Sequence, residues 1–580
     1  MKFNELQELI AVAAKQKKAD LVIKNCQWVD VYNQQINTGD IAIYKDKIAG
    51  IGKGYSGVEE YDAEGMYATP SFIEGHVHIE SSYLSPEEFA RMVVPLGTGT
   101  IMADPHEITN VCGLTGIKYM MDAAKNTALD VRFMIPSCVP STPFEHSGAT
   151  ITSEDIAKLL PKKEVQGLAE VMNYPAVVQG DLDTLKKIQA TRKEKLIIDG
   201  HSPCLTGAGL AAYKVAGIST DHECSSLEEM HERIAMGFYV LLRNGSAGRN
   251  LRTLVKGVTN NNFRRCLLCS DDIHPQDVFA RGYINGDVRL CIEEGLAPMQ
   301  AITLATLNPA ECYRLSDRGA LAPGKRADIC LWPDLKSFDV PNCVWFKGQL
   351  VAKNGKYLPY LAKTPIDPVR NTMKVGNFSI DKLKFHLKAN KVITIDVIPG
   401  EIVTEKGEAT IKLDAKGDFV FDPAQDLAKL AVIERHHGIG TVGLALLKNF
   451  GLKRGAIAVS VAHDSHNIIV LGTNNKDMSK AVRELIKIEG GLAIALDGKI
   501  QISLPLPIAG LMSEKRADQV QKELEKVHQL AHSVLGVGHQ IDPVMTLSFM
   551  SLPVIPHVKL TDEGLFDVDK FNFINMENTL

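Results

Sequence analysis

The residues best placed to do chemistry are those that can bind a metal ion. Glu74-Gly75-His76-Val77-His78 follows the apolar Ser71-Phe72-Ile73, and histidines two apart on a strand point to the same side. Four more ligand types follow apolar runs. Glu170 comes after Gly167-Leu168-Ala169, His201 after Leu196-Ile197-Ile198-Asp199-Gly200, His222 after Ala216 to Asp221, and Asp271 after Cys266-Leu267-Leu268-Cys269-Ser270. Neutral imidazoles with carboxylates suit zinc, iron or manganese. A lone His-x-His is common on surfaces and in cores, so the spacing carries the argument. Glu170 and His201 are 31 apart and His201 and His222 are 21 apart, each about one βα unit. His222 to Asp271 is 49, about two units, and His78 to Glu170 is 92, about three. The ligands then fall on strands 1, 4, 5, 6 and 8 of a barrel, at the strand ends where barrels build active sites. Core packing does not explain five strand ends in that rhythm.

The elements that must position these residues form four sections. Residues 3–18 read as an amphipathic helix, and short strands at 19–24 and 40–44 make residues 1–69 a small β unit. Residues 70–320 alternate short apolar strands with helical stretches such as Leu182 to Thr191 and Ser226 to Met236. That texture, over about 250 residues, is expected of a (β/α)8 barrel in the α/β class. Strands return at Ile329-Cys330-Leu331-Trp332 and Asn342-Cys343-Val344-Trp345-Phe346. Residues 321–375 are therefore expected to complete a small β-sandwich split around the barrel. Residues 376–580 mix strands, such as Lys391 to Ile395, with helices, such as Lys515 to Leu535, and form an additional α+β domain.

The pattern of His-x-His, an anionic bridge, His, His and Asp resembles the amidohydrolase superfamily with a two-metal centre. More narrowly, the chain resembles bacterial adenine deaminases over essentially its whole length. The resemblance rests on His76-Val77-His78-Ile79-Glu80-Ser81-Ser82, Ala103-Asp104-Pro105-His106-Glu107-Ile108, Gly167 to Asn173, Asp199-Gly200-His201, Thr220-Asp221-His222-Glu223 and Ser270-Asp271-Asp272-Ile273-His274-Pro275. The late stretch Ser460-Val461-Ala462-His463-Asp464-Ser465-His466-Asn467 belongs to it too. Relatives such as hydantoinases and dihydroorotases carry a carboxylated lysine at the bridge, where this chain has Glu170. Glu74 stands where the superfamily usually has aspartate.

The resemblance implies hydrolysis of adenine to hypoxanthine and ammonia by a metal-activated hydroxide, as in purine salvage or catabolism. It implies that His76, His78 and Asp271 hold one metal, that His201 and His222 hold the other, and that Glu170 bridges them. Asp271 is the implied general base, then acid. Manganese or iron is expected, with zinc as an acceptable substitute. Glu80, Ser81, Asp104, His106, Glu107, Arg243 and Asn244 lie just beyond strand ends as candidate purine contacts, although Ser81 and Ser82 equally suit a helix cap. His463 and His466, three apart, have the spacing of a second metal site, but a role in closing or shaping the pocket, or a purely structural one, is preferred. Cys266 and Cys269 face opposite sides of one strand, which points to packing rather than redox or zinc chemistry. The competing readings are an amidohydrolase acting on another aminopurine or a cyclic amide, and a non-catalytic scaffold.

Bulk properties narrow the field. A net charge of -5, with lysines in short runs such as Lys15-Gln16-Lys17-Lys18, gives no nucleic-acid or membrane footprint. The eleven cysteines are scattered and odd in number, which favours a reducing cytoplasm over a disulfide framework. No run of about 18 apolar residues is present, and the N-terminus does not read as a signal peptide. The family resemblance implies as partners the small-molecule substrate and further copies of the chain, as a dimer or higher homo-oligomer.

Overall fold

A computed structural model describes residues 2–577, so the expected section 376–580 is described as far as residue 577. The N-terminal helix covers Phe3–Ala13, shorter than the expected 3–18. Lys15 adopts a left-handed backbone (φ 61°), and the amides of Gln16 and Lys17 turn back onto the Ala11 carbonyl, which ends the helix. The segment behind it builds a nine-stranded sheet together with Ile329–Trp332, Cys343–Phe346, Gln349–Lys353 and Lys356–Tyr357. The junction is antiparallel, with Ile329 opposite Pro70 and Trp332 opposite Tyr67. Ile23, Ile41, Ile43, Ile329, Leu331 and Trp345 form its apolar core. Because Pro70 lies two residues before the strand that carries His76, this sheet fixes where that strand begins.

A parallel, curled TIM-type arrangement follows, paired as a six-stranded and a three-stranded sheet. Its strands are Phe72–His78, Thr98–Ala103, Asp130–Ile135, Val165–Val171, Ile197–Gly200, Thr220–Asp221, Tyr239–Arg243 and Cys266–Cys269, the last continuing as Asp271–Asp272. The final pair returns to the first strand, with Asp271 opposite Val77 and Asp272 opposite His78. The fifth and sixth strands are joined by the Ser219 amide, which donates to the Ile198 carbonyl (2.8 Å). Period-two alternation sorts the side chains. Ile73, Met102, Met134, Ala169, Ile197, Leu241, Leu267 and Cys269 fill the inside. Phe72, Ile101, Phe133, Leu168, Ile198, Val240 and Cys266 face the surrounding helices. Cys266 and Cys269 thus lie on opposite sides of their strand, in two different cores.

The remaining residues contain an eight-stranded sheet running from Thr404–Thr410 at one edge to Lys499–Pro505 at the other. The helix expected over 515–535 is Ala517–Leu530, and Ala531–Leu535 continues as a wider π turn. This section docks on the barrel, where the Ser513 amide donates to the Tyr83 carbonyl (2.8 Å). No helix among the described residues is long and apolar enough to cross a membrane.

One buried cation in this section has a measurable consequence. Lys559 is fully buried, and its ammonium donates to the Ile402 carbonyl (2.8 Å). Burial pushes this lysine down to about 7. An unfolded lysine titrates near ~10.4. Between about pH 10 and pH 7 the unfolded chain therefore binds a proton that the folded chain does not, and stability falls as pH drops through that window. Lys559→Met is expected to raise stability at pH 7 by an amount on the order of 2–4 kcal/mol after loss of one hydrogen bond, with no gain at pH 10. Melting temperatures at the two pH values check this, and an identical shift at both would reject it.

Candidate metal centre

Four imidazoles and two carboxylates converge at the C-terminal ends of the strands. His76 and His78 leave the first strand on the same side, and their Nε2 atoms stand 3.2 Å apart. Asp271 Oδ1 lies 3.5 Å from the first and 3.0 Å from the second. Glu170 spans the group. Its Oε1 is 3.9 Å from His76 Nε2 and 3.4 Å from His78 Nε2, whereas its Oε2 is 2.8 Å from His201 Nδ1 and 3.2 Å from His222 Nε2. The rings of His76 and His222 stack at 4.4 Å. All six residues are buried except His201, which is partly so.

This donor set fits divalent cations. His78 Nδ1 donates to the Asp104 carbonyl (3.0 Å), which leaves the Nε2 lone pair directed at His76 Nε2. Two such nitrogens in a buried site need a cation or a proton between them. The electrostatics agree. Burial opposes charge on His78, yet Asp271 and Glu170 hold it well above the usual histidine range. His222 is raised in the same way, chiefly by Glu170 and Glu223. Burial also works against the two carboxylates, but the facing histidines hold Glu170 and Asp271 well below the usual range. Their ligand atoms form sets such as His76, His222, Asp271 and Glu170, His201, His222.

The surroundings fix these groups. Asp271 has a left-handed backbone (φ 61°), so the eighth strand turns at the point where its carboxylate enters the site. Glu74 braces that turn from the first strand. It accepts from the amides of His76 (3.0 Å) and Ser270 (3.1 and 3.2 Å), and burial pushes its carboxyl up to about 8. Asp271 therefore faces the histidines, while its neighbour Asp272 accepts a hydrogen bond from Ser81.

Of the candidate purine contacts, His106, Glu107 and Arg243 line the same cavity as His78, Glu170, His201, His222 and Asp271. Arg243 Nη1 lies 2.8 Å from Asp271 Oδ2. Asp104 stands behind His106, with its Oδ2 3.0 Å from Nδ1. Glu80 accepts from the Ile108 amide (3.2 Å), and Ser81 is taken up by Asp272, so both lie behind the cavity wall. Asn244 turns away and donates to Asp287 (2.6 Å).

Sequence reasoning passed over several lining residues. Glu223 grips Arg243 and lies 3.2 Å from His222 Nε2. The one available signal was a carboxylate directly after a ligand. Asp464, Phe549, Leu552, Ile555 and Ile402 reach the cavity from the C-terminal section, where no barrel spacing applies. His463 and His466 both face Glu107, with His463 Nδ1 2.6 Å from Oε1. Burial opposes charge on His463, but Glu107 and Asp272 lift it to about 9, whereas burial holds His466 down at about 4. A second cavity of about 710 Å³ shares Glu223, Arg243, Ala247, Gly248, Ile402 and Ile555 with the first. It runs between the barrel loop 244–250 and the C-terminal segments 400–403 and 540–556.

Comparison with known proteins gives the family. Residues 67–351 match the amidohydrolase family, and residues 401–572 match the adenine deaminase C-terminal domain. The chain is 52% identical over 577 residues to adenine deaminase 2 of Desulfotalea psychrophila, with 100% of both chains covered. It is 48% identical over 577 residues to the adenine deaminase of Ligilactobacillus salivarius, again with 100% of both covered. Among solved structures, an amidohydrolase aligns at 14% identity and a TM-score of 0.41, covering 58% of this chain and 99% of its own. Since the similarity to the curated proteins runs through barrel and C-terminal section alike, the chain belongs to the adenine deaminase family of amidohydrolases.

Proposed function

We propose that this protein hydrolyses adenine to hypoxanthine and ammonia at the six-residue centre. The observation that carries the reading is Glu170, whose two oxygens reach two separate histidine pairs. The substrate follows from the relatives, which are named adenine deaminases. In this reading His76, His78 and Asp271 would hold one divalent cation and His201 and His222 the other, with Glu170 offering one oxygen to each set. Manganese or iron is the expected metal, with zinc acceptable, and such a pair would make a water acidic enough to attack near neutral pH. Asp271 takes a proton from that water as its oxygen adds to C6 of the purine. It then passes the proton to the amino group, and ammonia leaves with the electron pair of the broken C–N bond. Arg243 holds the far oxygen of Asp271, so the near oxygen stays turned toward the histidines. His106, Glu107 and Arg243 are the proposed substrate-facing residues, with Glu80, Ser81 and Asp104 supporting them from behind and Asn244 outside the group.

The same proposal covers the architecture and setting. The barrel spans 70–320 and closes as eight strands, residues 1–69 and 321–375 form one split sandwich, and 376–580 form a separate α+β domain. The shared nine-stranded sheet supports the split. The eleven free cysteines support a reducing cytoplasm. Family resemblance supports a homo-oligomer, which light scattering would read.

The test is ammonia release from adenine by protein loaded with manganese or ferrous iron, beside a chelated control. Conversion to hypoxanthine that disappears on chelation and returns with metal is the expected result. Two bound metals without ammonia would shift the reading to another aminopurine or a cyclic amide.

A further inference from the structure

The C-terminal section places one side chain in the cavity that nothing in the metal centre requires. The segment between the strands Ala456–Val459 and Ile468–Gly472 reaches the barrel mouth, and it is anchored on every side. His463 and His466 share the carboxylate of Glu107. The His466 Nδ1 accepts from the Ala462 amide (3.1 Å), so its Nε2 donates to Glu107. The His463 amide donates to the Ser548 carbonyl (3.0 Å), and its ring stacks on Phe549 at 4.4 Å. The Asn467 side-chain Nδ2 donates to the His146 carbonyl (2.8 Å). Asp464 sits at the tip of this anchored segment.

Asp464 is 2% exposed and lines the cavity that also holds Glu170, His201 and Arg243. Its Oδ1 is 3.8 Å from His106 Nε2, beyond hydrogen-bond length, and its Oδ2 has no hydrogen-bond partner. A buried carboxylate oxygen left unmade is expensive, so such a group usually marks where a ligand donates. Adenine with C6 directed at the metal centre carries one ring N–H, on the imidazole half of the molecule. Its other ring nitrogens can only accept.

We propose that Asp464 reads that ring N–H, making it a specificity-determining residue supplied to the barrel by the C-terminal section. The inference rests on the adenine reading above. It explains why a carboxylate is held here by two histidines and a glutamate instead of being left to move. It also gives the C-terminal section a direct role in substrate choice, in addition to its role as a wall of the cavity.

The test compares adenine with 9-methyladenine, which keeps the amino group but has no ring N–H. Both are measured by turnover, or by competitive inhibition where turnover is absent. The wild type is expected to favour adenine by about 10- to 100-fold, the worth of one hydrogen bond to a charged acceptor. Asp464→Leu should remove that preference by lowering only the adenine value. Asp464→Asn, which keeps one acceptor oxygen, should restore part of it. An equal loss on both compounds, or no preference in the wild type, overturns the proposal. So does a third divalent ion per chain that the leucine variant lacks, because His106, Glu107 and Asp464 would then be metal ligands. If the wild type releases no ammonia from adenine at all, the adenine reading fails instead.

Discussion

Asp271→Asn is expected to leave a folded protein whose kcat on adenine falls by about 10²- to 10⁴-fold, the usual worth of a positioned acid-base group. The amide can neither take the proton of the attacking water nor return it to the leaving amino group. The surroundings predict that the loss is chemical and not structural. Arg243 keeps Glu223 as a buried partner, and Glu74 still ties Ser270 to the first strand. The left-handed backbone at position 271 is one that asparagine tolerates as well as aspartate does. Circular dichroism should therefore resemble the wild type while ammonia release collapses, by more than any loss of bound metal accounts for. Near-normal turnover with unchanged metal content would remove Asp271 from the mechanism.

Glu170→Gln is expected to act one step earlier, on occupancy. Both glutamate oxygens are engaged, one toward each histidine pair, and an amide offers only one acceptor and no charge. Substitutions that touch metal ligands only indirectly already weaken binding by about 10- to 100-fold. Loss of a bridge should exceed that, so the purified variant should hold fewer than two ions per chain at metal concentrations that saturate the wild type. The histidines should feel the change as well. Burial already opposes charge on His201 and His222, and they lose one of the carboxylates that favour their charged forms, with Glu223 left beside both. Two tightly held ions in the glutamine variant would sink the bridging role.

The legible part of the molecule is the part with local rules. Each of the six central residues sits at the end of an apolar strand, and strand-to-strand spacing in a βα repeat is nearly constant. The six could therefore be picked from spacing, and the structure brings them together. Cys266 and Cys269 were readable for the same reason, since three residues along a strand reverse the facing. The N-terminal helix was read too long because its lysines suit a helix, whereas the turn at Lys15 is a backbone choice with no composition signal. Asn244 looked equivalent to Arg243, but its neighbour Asp287 belongs to a later helix and draws it away. Glu107 and its two histidines were noticed separately. No periodicity links residues from a barrel loop to a turn in another sheet, so their meeting could not be read.

That meeting has a consequence for how the protein comes into being. Glu107 and His466 are 359 positions apart in the chain. A ribosome adding 5–20 residues per second needs roughly 20–70 seconds to bridge that gap. For that interval a nascent barrel with its polar mouth uncovered has nothing to close it, and Glu107 sits without either of its later partners. The cavity wall to which Ile402, Asp464, Phe549, Leu552 and Ile555 contribute is complete only once the last third of the polypeptide has been made.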